Sequence, residues 1–227
     1  MSRSTTPSGP SARRSYHHGD LRRVLIDAAL EEIATRGPAH LSLRALARTA
    51  GVSHAAPAHH FKDKSGVFTA IAIEGFELLH QSQLRTSEGV APDQTLLPLA
   101  VTYVLFAIEH PSHYEVMWRE DLYDPDDPTL VAARARVFDA FYQSVAAGTG
   151  ELEPEPFQGA VAAAWSIVHG FATLWLGGNL TAFLGTEPAA ASDEVARGLV
   201  AIAKVTARQL QQGERTRQPK RSTEQAL

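Results

Sequence analysis

The length, composition and charge of this chain limit what it can be. Of its 227 residues, 44% are hydrophobic, enough to bury a sizeable core in one large domain or two smaller ones. The chain has no cysteine, which excludes disulfides, thiol catalysis and cysteine-based zinc sites. We find no stretch that should be long and apolar enough to span a membrane, and the N-terminus lacks the apolar core of a signal peptide. We therefore expect a cytoplasmic protein.

The net charge of −4 is distributed unevenly along the chain. Residues 11–64 carry nine Lys or Arg and five Asp or Glu, a net charge of +4. Arg3 adds one positive charge, which leaves −9 for residues 65–227. Six of the ten histidines, at positions 17, 18, 40, 54, 59 and 60, also lie in the positive part. A basic N-terminal segment on an acidic body indicates that one end of the protein meets a polyanion.

The N-terminal part is predicted to contain a disordered arm and one helix. Residues 1–15 are rich in Ser, Thr, Pro, Gly and Arg, a composition that cannot bury a core. A helix is predicted from Gly19 to Arg36, where Gly37-Pro38 stops it. Its apolar face consists of Leu21, Leu25, Ala28, Ala29 and Ile33.

Residues 42–61 have the pattern of two short helices joined by a tight turn. Ser42 is an N-cap residue type. The apolar residues after it follow helical spacing, namely Leu43, Leu46, Ala47 and Ala50. Gly51 permits a sharp turn, and we expect Ser53 to cap the second helix. This is a helix-turn-helix, whose second helix fits the major groove of DNA; an ordinary helix pair in a core is the alternative.

The rest of the chain is predicted to be helical, which makes the fold all-α. Asp63 or Ser65 should cap a long helix that reaches about Arg85. Further helices are predicted at 99–109, 112–119, 129–147, 157–176 and 193–212, followed by a disordered tail at 213–227. No segment shows strand-type alternation of useful length.

Motifs for catalysis and metal binding are missing from the sequence. It contains no Ser/His/Asp motif, no glycine-rich phosphate loop and no HExxH zinc motif. Pro111 lies between His110 and His113, which favours a helix junction over a metal site. We expect a protein that is not an enzyme and uses neither a metal nor a cofactor.

Aromatic residues are concentrated in the middle and late helices. Core packing explains most of them individually, but pockets between helices are also lined mainly by apolar side chains with a few polar groups. The candidate ligand-binding residues are Tyr103, Phe106, His110, Trp118, Phe141, Trp165 and His169. His169 is a lone histidine on an apolar helix, so it is either a hydrogen-bonded core residue or a ligand contact.

The predicted helix 157–176 is apolar on nearly every side and must be covered all round. The predicted helix 193–212 supplies a second apolar stripe. Because one subunit cannot cover both, we expect a homodimer in which two helices from each subunit form a four-helix bundle.

Residues 19–70 carry a pattern spread over about 50 positions. It consists of Ala28-Ala29, Ser42-Leu43-Arg44, Leu46-Ala47, Gly51-Val52-Ser53, His60-Phe61, Lys64 and Phe68. This pattern resembles the DNA-binding domain of the TetR/AcrR family of bacterial repressors. Further along, Trp165, His169 and Gly170 resemble the Trp-His-Gly signature of one class of TetR-family C-terminal domain. Residues 71–155 match only in helical character.

The resemblance implies a homodimeric repressor that binds double-stranded operator DNA and a small-molecule effector. It places a DNA-binding domain at 16–64, extending to about residue 79, and an effector-binding and dimerisation domain at 65–212. The expected DNA-binding residues are Ser42, Arg44, Ser53, His54, Ala55, Ala56, His59, His60 and Lys64. Of these, Arg44 and residues 54–56 should read base edges, and the others except Ser53 should contact phosphates.

A second interpretation is a helical small-molecule-binding protein or enzyme with a vestigial helix-turn-helix. Ala58 stands where the family usually has a tyrosine that touches the phosphate backbone. Next to it are His59 and His60, a residue type that is mostly neutral near pH 7. Both features weaken DNA binding, and an assay with DNA upstream of the gene discriminates between the interpretations.

Overall fold

The computed structural model describes residues 18–149, 153–184 and 198. Those residues form nine α-helices and no strand, which confirms the all-α fold. The helices are α1 (His18–Arg36), α2 (Leu43–Thr49), α3 (Ala56–Phe61), α4 (Lys64–Ser87), α5 (Leu96–Glu109), α6 (Pro111–Met117), α7 (Pro128–Thr149), α8 (Pro154–Leu176) and α9 (Asn179–Leu184). Short 3-10 turns occupy Pro38–His40 and Pro92–Gln94.

The helices predicted within the described residues are found within a few residues of their expected bounds, and α9 was not predicted. The predicted arm 1–15 and tail 213–227 lie outside the described residues. So does the predicted helix 193–212, apart from Gly198, which is helical. These three remain predictions.

The chain divides into two compact units, Met1–Val67 and Phe68–Leu227, with the boundary inside α4. In the first unit, α1 packs against α2 and α3. Its core is formed by buried apolar side chains that recur with helical spacing along each helix. They are Leu25, Ile26, Ala29, Ile33, Leu46, Ala47 and Phe61. This small core fixes the orientation of the two short helices.

In the second unit, α5 packs against α6, α7 and α8, and α7 also packs against α8. Its buried side chains include Tyr103, Val104, Phe106, Met117, Leu130, Val161, Val168 and Trp175. Several of these are aromatic, so the interior of this unit combines large flat rings with branched aliphatic side chains.

The helix α8 corrects one expectation from the sequence. By length and composition it is apolar enough to cross a membrane, whereas we had found no such stretch. A core helix of a soluble protein passes the same test, so this is weak evidence for a span. Only 22% of its most apolar window is buried inside the chain, so much of this apolar helix stays exposed or half-buried among the described residues.

Candidate DNA-binding surface and ligand cavity

Ser42 caps α2, as the sequence predicted. Its side-chain oxygen accepts a hydrogen bond from the Ala45 backbone N–H at 3.2 Å. A serine hydroxyl has one donor and two acceptor lone pairs, so the O–H of Ser42 can still donate to a phosphate. Arg44 is exposed in the first turn of this helix.

The prediction that Ser53 caps the second helix was wrong. The N-cap of α3 is Ala55, without a side-chain capping bond, and the helix starts at Ala56. The reason is Pro57, which has no backbone N–H. With Ser53 as N-cap, Pro57 would be the residue whose N–H makes the first intrahelical bond, so the helix must start later and keep the proline in its first turn. The Ser53 carbonyl instead accepts from the Ala56 N–H at 3.0 Å.

The second helix and the turn before it have one exposed side and one buried side. His54, Ala55, Ala58 and His59 are exposed, Ala56 and His60 are half-buried, and Pro57 and Phe61 are buried. The small and imidazole side chains singled out from the sequence therefore lie on or beside one accessible surface.

A contact that sequence reasoning missed holds α3 against α1. The guanidinium carbon of Arg22 lies 5.4 Å from the centroid of the Phe61 ring, a cation–π arrangement. Phe61 is only 6% exposed. Nothing in the spacing of two residues on different helices signals such a pair.

The junction between α3 and α4 is tightly built. Asp63 caps α4 by accepting from the Gly66 backbone N–H at 2.9 Å, which confirms one of the two predicted caps. A Cβ added at Gly66 would collide with the backbone carbonyl oxygen of Phe61. Nζ of Lys64 donates to the Ala39 carbonyl oxygen at 3.1 Å, so this lysine also ties the preceding 3-10 turn to the start of α4.

The second unit contains a cavity with a volume of about 460 Å³. Its lining residues are Met117, Trp118, Glu120, Arg134, Phe138, Trp165 and His169. Three of the seven predicted ligand residues are among them, namely Trp118, Trp165 and His169. The other four were not selected from the sequence, although Phe138 belongs to the aromatic residues of the middle helices from which the candidates were chosen.

Aromatic rings form most of the cavity wall. The ring centroids of Trp118 and Trp165 are 5.1 Å apart, and Phe138 meets Trp165 edge-on at 5.4 Å. The imidazole of His169 lies 5.4 Å from Trp118 and 5.3 Å from Trp165. Such walls suit flat apolar molecules.

His169 is held by two phenols. The hydroxyl oxygens of Tyr103 and Tyr114 lie 2.8 Å and 3.0 Å from its Nδ1 atom. Burial lowers the pKa of the His169 imidazole and raises the pKa of both phenols, in Tyr103 with a further contribution from Tyr114. The imidazole is therefore neutral and the phenols stay protonated near pH 7.

Two further polar features belong to the cavity wall. The indole Nε1 of Trp118 is buried and has no hydrogen-bond partner within the described parts of the chain. A buried donor without an acceptor costs about 1–3 kcal/mol. Arg134 Nη1 forms an ion pair with Glu120 Oε1 at 2.7 Å, and the Glu120 side chain is 65% exposed.

The other predicted ligand residues do not line this cavity. Tyr103 is buried behind the wall, with its hydroxyl 2.8 Å from Nδ1 of His169 and its ring centroid 6.2 Å from that of Trp118. Phe106 lines a second, smaller cavity of about 290 Å³. His110 forms the junction between α5 and α6, as expected, and its ring lies 5.1 Å from that of Phe106. Phe141 is half-buried on α7 and lines neither cavity.

The cavity is connected to α4 by contacts with α6 and with Trp118, the residue that ends it. Nε2 of His113 lies 3.1 Å from Oε1 of Glu74, and the ring of Phe76 meets Trp118 edge-on at 5.6 Å. The two helices approach closely at Gly75, where an added Cβ would lie 2.5 Å from the Met117 sulfur. Met117 and Trp118 both line the cavity, so part of the cavity wall packs directly on α4.

Two domain families match this chain, one in its N-terminal part and one in its C-terminal part. Residues 25–71 match "Bacterial regulatory proteins, tetR family", and residues 96–201 match "Tetracyclin repressor-like, C-terminal domain". The first match contains the helix-turn-helix, and the second contains every residue of the 460 Å³ cavity wall.

Individual proteins agree with the family matches. The chain is 29% identical over 97 residues to the uncharacterized HTH-type transcriptional regulator YobS of Bacillus subtilis (strain 168), a match to 43% of this chain and 51%, or about half, of that protein. A protein of unknown function from Rhodococcus sp. RHA1 is 34% identical, with a TM-score of 0.63 over 82% of this chain and 98% of that one. The TetR family regulator PfmR from Thermus thermophilus shares the fold at 18% identity, with a TM-score of 0.59 over 77% of this chain and 93% of that one.

The matched family and the Bacillus subtilis relative are regulators of transcription and not enzymes, which agrees with the expectation from the sequence. The Trp-His-Gly subgroup remains a prediction. With matches at both its DNA-binding and its C-terminal helices, the chain belongs to the TetR family of DNA-binding transcriptional regulators.

Proposed function

We propose that this protein is a homodimeric repressor that leaves its operator when a small, mainly apolar ligand fills the 460 Å³ cavity. The observation that carries the proposal is the direct packing of the cavity wall on α4, through Gly75 and Met117 and through Phe76 and Trp118. The first residues of α4 belong to the unit that contains the helix-turn-helix.

In this proposal residues 16–64, with the start of α4 to about residue 79, form the DNA-binding domain. Residues 65–212 form the domain for effector binding and dimerisation. Arg44 bonds O6 and N7 of a guanine, while His54, Ala55 and Ala56 meet other base edges. Ser42, His59, His60 and Lys64 contact phosphates. Exposure of Arg44, His54 and His59 supports these roles.

Release of DNA requires that the ligand prefer one of two conformations. A ligand with equal affinity for the DNA-competent and DNA-incompetent states shifts nothing. Because the Met117 side chain occupies the space beside Gly75, a shift of Met117 away from the cavity presses on α4. Ligand binding is thereby coupled to the helix that enters the DNA-binding unit.

The dimer is proposed to form through α8. One face of this helix carries the small residues Gly159, Ala163, Ser166 and Gly170, spaced four, three and four residues apart. A Cβ added at Gly159 or Gly170 would have nothing within 4 Å, so this face is open in the protomer. Small residues allow two helices to approach closely, and a two-fold pair of such helices buries the apolar surface of α8.

The test is a gel-shift assay with the DNA upstream of the protein's own gene. We expect a complex with a site that has two-fold symmetry and half-sites about 34–36 Å apart, one turn of DNA. Addition of an apolar ligand found by thermal-shift screening should dissociate it. Failure to bind this DNA, or any sequence selected from a random pool, would refute the proposal and favour a vestigial helix-turn-helix.

A further inference from the structure

We propose that the cavity selects an uncharged, flat apolar molecule that carries a carbonyl oxygen, which accepts a hydrogen bond from Nε2–H of His169. This inference rests on the proposed function, in which the cavity holds the effector. The shape and apolar character follow from the rings of Trp118, Phe138 and Trp165 in the wall. The carbonyl follows from the donor at Nε2 of His169.

The hydrogen bonds of His169 determine which of its nitrogens carries the proton. Both Tyr103 and Tyr114 place a hydroxyl oxygen within 3.0 Å of Nδ1. A phenol is a stronger acid than a neutral imidazole N–H, so a phenol donates and Nδ1 accepts. The proton of the neutral ring is then on Nε2, because the hydrogen bond at one nitrogen sets the state of the other. No described residue accepts from Nε2, so it is a donor available to a ligand.

The indole of Trp118 is not a second donor. Its Nε1 is buried, and the Trp118 and His169 rings meet edge-on with their centroids 5.4 Å apart, which leaves no room for a ligand atom between them. A carbonyl oxygen of the ligand therefore accepts one hydrogen bond, from Nε2–H of His169.

The charges of the wall favour a neutral ligand over a carboxylate. Arg134 is the only cation among the lining residues, and it is already paired with Glu120 at 2.7 Å. The remaining lining residues are uncharged, since the imidazole of His169 is neutral. A carboxylate would lose its hydration without gaining an unpaired positive charge, whereas a ketone, amide or quinone oxygen needs only the N–H donor of His169.

Calorimetric titration of the full chain with three matched probes tests this inference. The probes are 2-acetylnaphthalene, 2-isopropenylnaphthalene, which has the same shape but no acceptor, and 2-naphthoate. We expect the ketone to bind roughly three- to tenfold more tightly than either of the others, as one hydrogen bond of ordinary strength implies. In His169→Phe the preference for the ketone over the alkene should fall severalfold, with the alkene affinity retained.

The outcomes separate this inference from the function on which it rests. Equal affinity for the ketone and the alkene would overturn the carbonyl inference and leave release by an apolar ligand standing. Tighter binding of the carboxylate would also overturn it. Binding of none of the three would contradict both the inference and the ligand part of the proposed function.

A spectroscopic measurement does not depend on the folding of the variant. In the 15N spectrum of protein labelled at histidine, His169 should be the neutral tautomer with its proton on Nε2. Its signal is assigned by its loss in His169→Gln, or by proximity to the Tyr103 ring if that variant does not fold. A proton on Nδ1 would make Nε2 an acceptor and overturn the inference.

Discussion

The hydroxyl oxygen of Tyr103 on α5 lies 2.8 Å from Nδ1 of His169 on α8, although the two residues are 66 positions apart. His169 also lines the cavity. The sequence left two interpretations open for this histidine, a hydrogen-bonded core residue or a ligand contact. The hydrogen bond expected of a core histidine is present. His169 also lies in the cavity wall, which is the position that a ligand contact requires.

The stability of the second unit should decrease in acid. Burial lowers the pKa of His169, and burial followed by the nearby His113 lowers that of His110. Since the unfolded chain then takes up protons first, the stability that these groups contribute is complete above about pH 6.5 and is lost as the pH falls through their folded pKa values.

Urea unfolding between pH 7.5 and 5 measures this effect. All three tryptophans lie in the second unit, so their fluorescence reports on it alone. The double variant His169→Gln/His110→Gln should have a flatter profile than the wild type. Equal slopes for both proteins would show that these histidines do not cause the pH dependence.

Arg44→Ala should reduce operator affinity by roughly 1–3 kcal/mol and relax the preference at one base position per half-site. The physical reason is that arginine bonds a guanine through two donors at once. Anisotropy titrations against operators with single base changes measure it. Arg36→Ala is the matched control, because Arg36 is exposed but paired with Glu32 at 2.8 Å. Equal weakening on all sequences would make Arg44 a phosphate contact.

Lys64→Met should lower the slope of log affinity against log salt by about 0.9 per protomer, because one phosphate contact is lost. The control is Lys64→Arg, which keeps the charge and a donor for the Ala39 carbonyl. An unchanged slope in Lys64→Met would mean that this lysine serves only the junction between the 3-10 turn and α4.

Gly66→Ala should distort the junction between α3 and α4, because the added Cβ meets the Phe61 carbonyl, a backbone atom that no rotamer change can move. We expect a loss of about 1–3 kcal/mol in the first unit and a loss of operator binding. Gly148→Ala is the control, since its Cβ would lie at an ordinary 3.7 Å from Leu96. Wild-type thermal stability and DNA affinity in Gly66→Ala would show that the junction relaxes freely.

Leu174→Glu should convert the dimer into a monomer and abolish operator binding, because it places a charge on the uncovered surface of α8. Val131→Glu on α7 is a close match, as Leu174 and Val131 are 46% and 43% exposed. Sedimentation velocity distinguishes the two variants. A Leu174→Glu protein that remains dimeric would exclude this part of α8 from the interface.

The sequence correctly predicted the features that depend on residues close together in the chain. The spacing of Leu46 and Ala47, the cap at Ser42 and the cap at Asp63 all depend on residues within one or two turns. The start of α3 was misplaced because Ser53 was considered without the missing N–H of Pro57. Ser53 and Pro57 are four positions apart, so the local sequence contained enough information to place the start of α3 correctly.

The cavity depends on contacts that no local pattern encodes. Trp118, Trp165 and His169 were selected as aromatic or isolated polar residues. Phe138 belongs to the same aromatic set but was not selected, and nothing in the sequence singled out the pair of Arg134 and Glu120. Their place in the wall follows from the packing of α7 against α8. Phe106 and Phe141 were selected by the same composition argument, and the packing turns them away from the larger cavity.

The most direct test of the account is the affinity of one releasing ligand, measured by calorimetry with and without saturating operator. Linkage requires that the operator weaken ligand binding by the same factor by which the ligand weakens operator binding. We expect equal factors, and we expect both to approach one when Gly75→Ala or Met117→Ala alters the contact between α4 and α6. A ligand that occupies the cavity with the same affinity in the presence and absence of operator would contradict it.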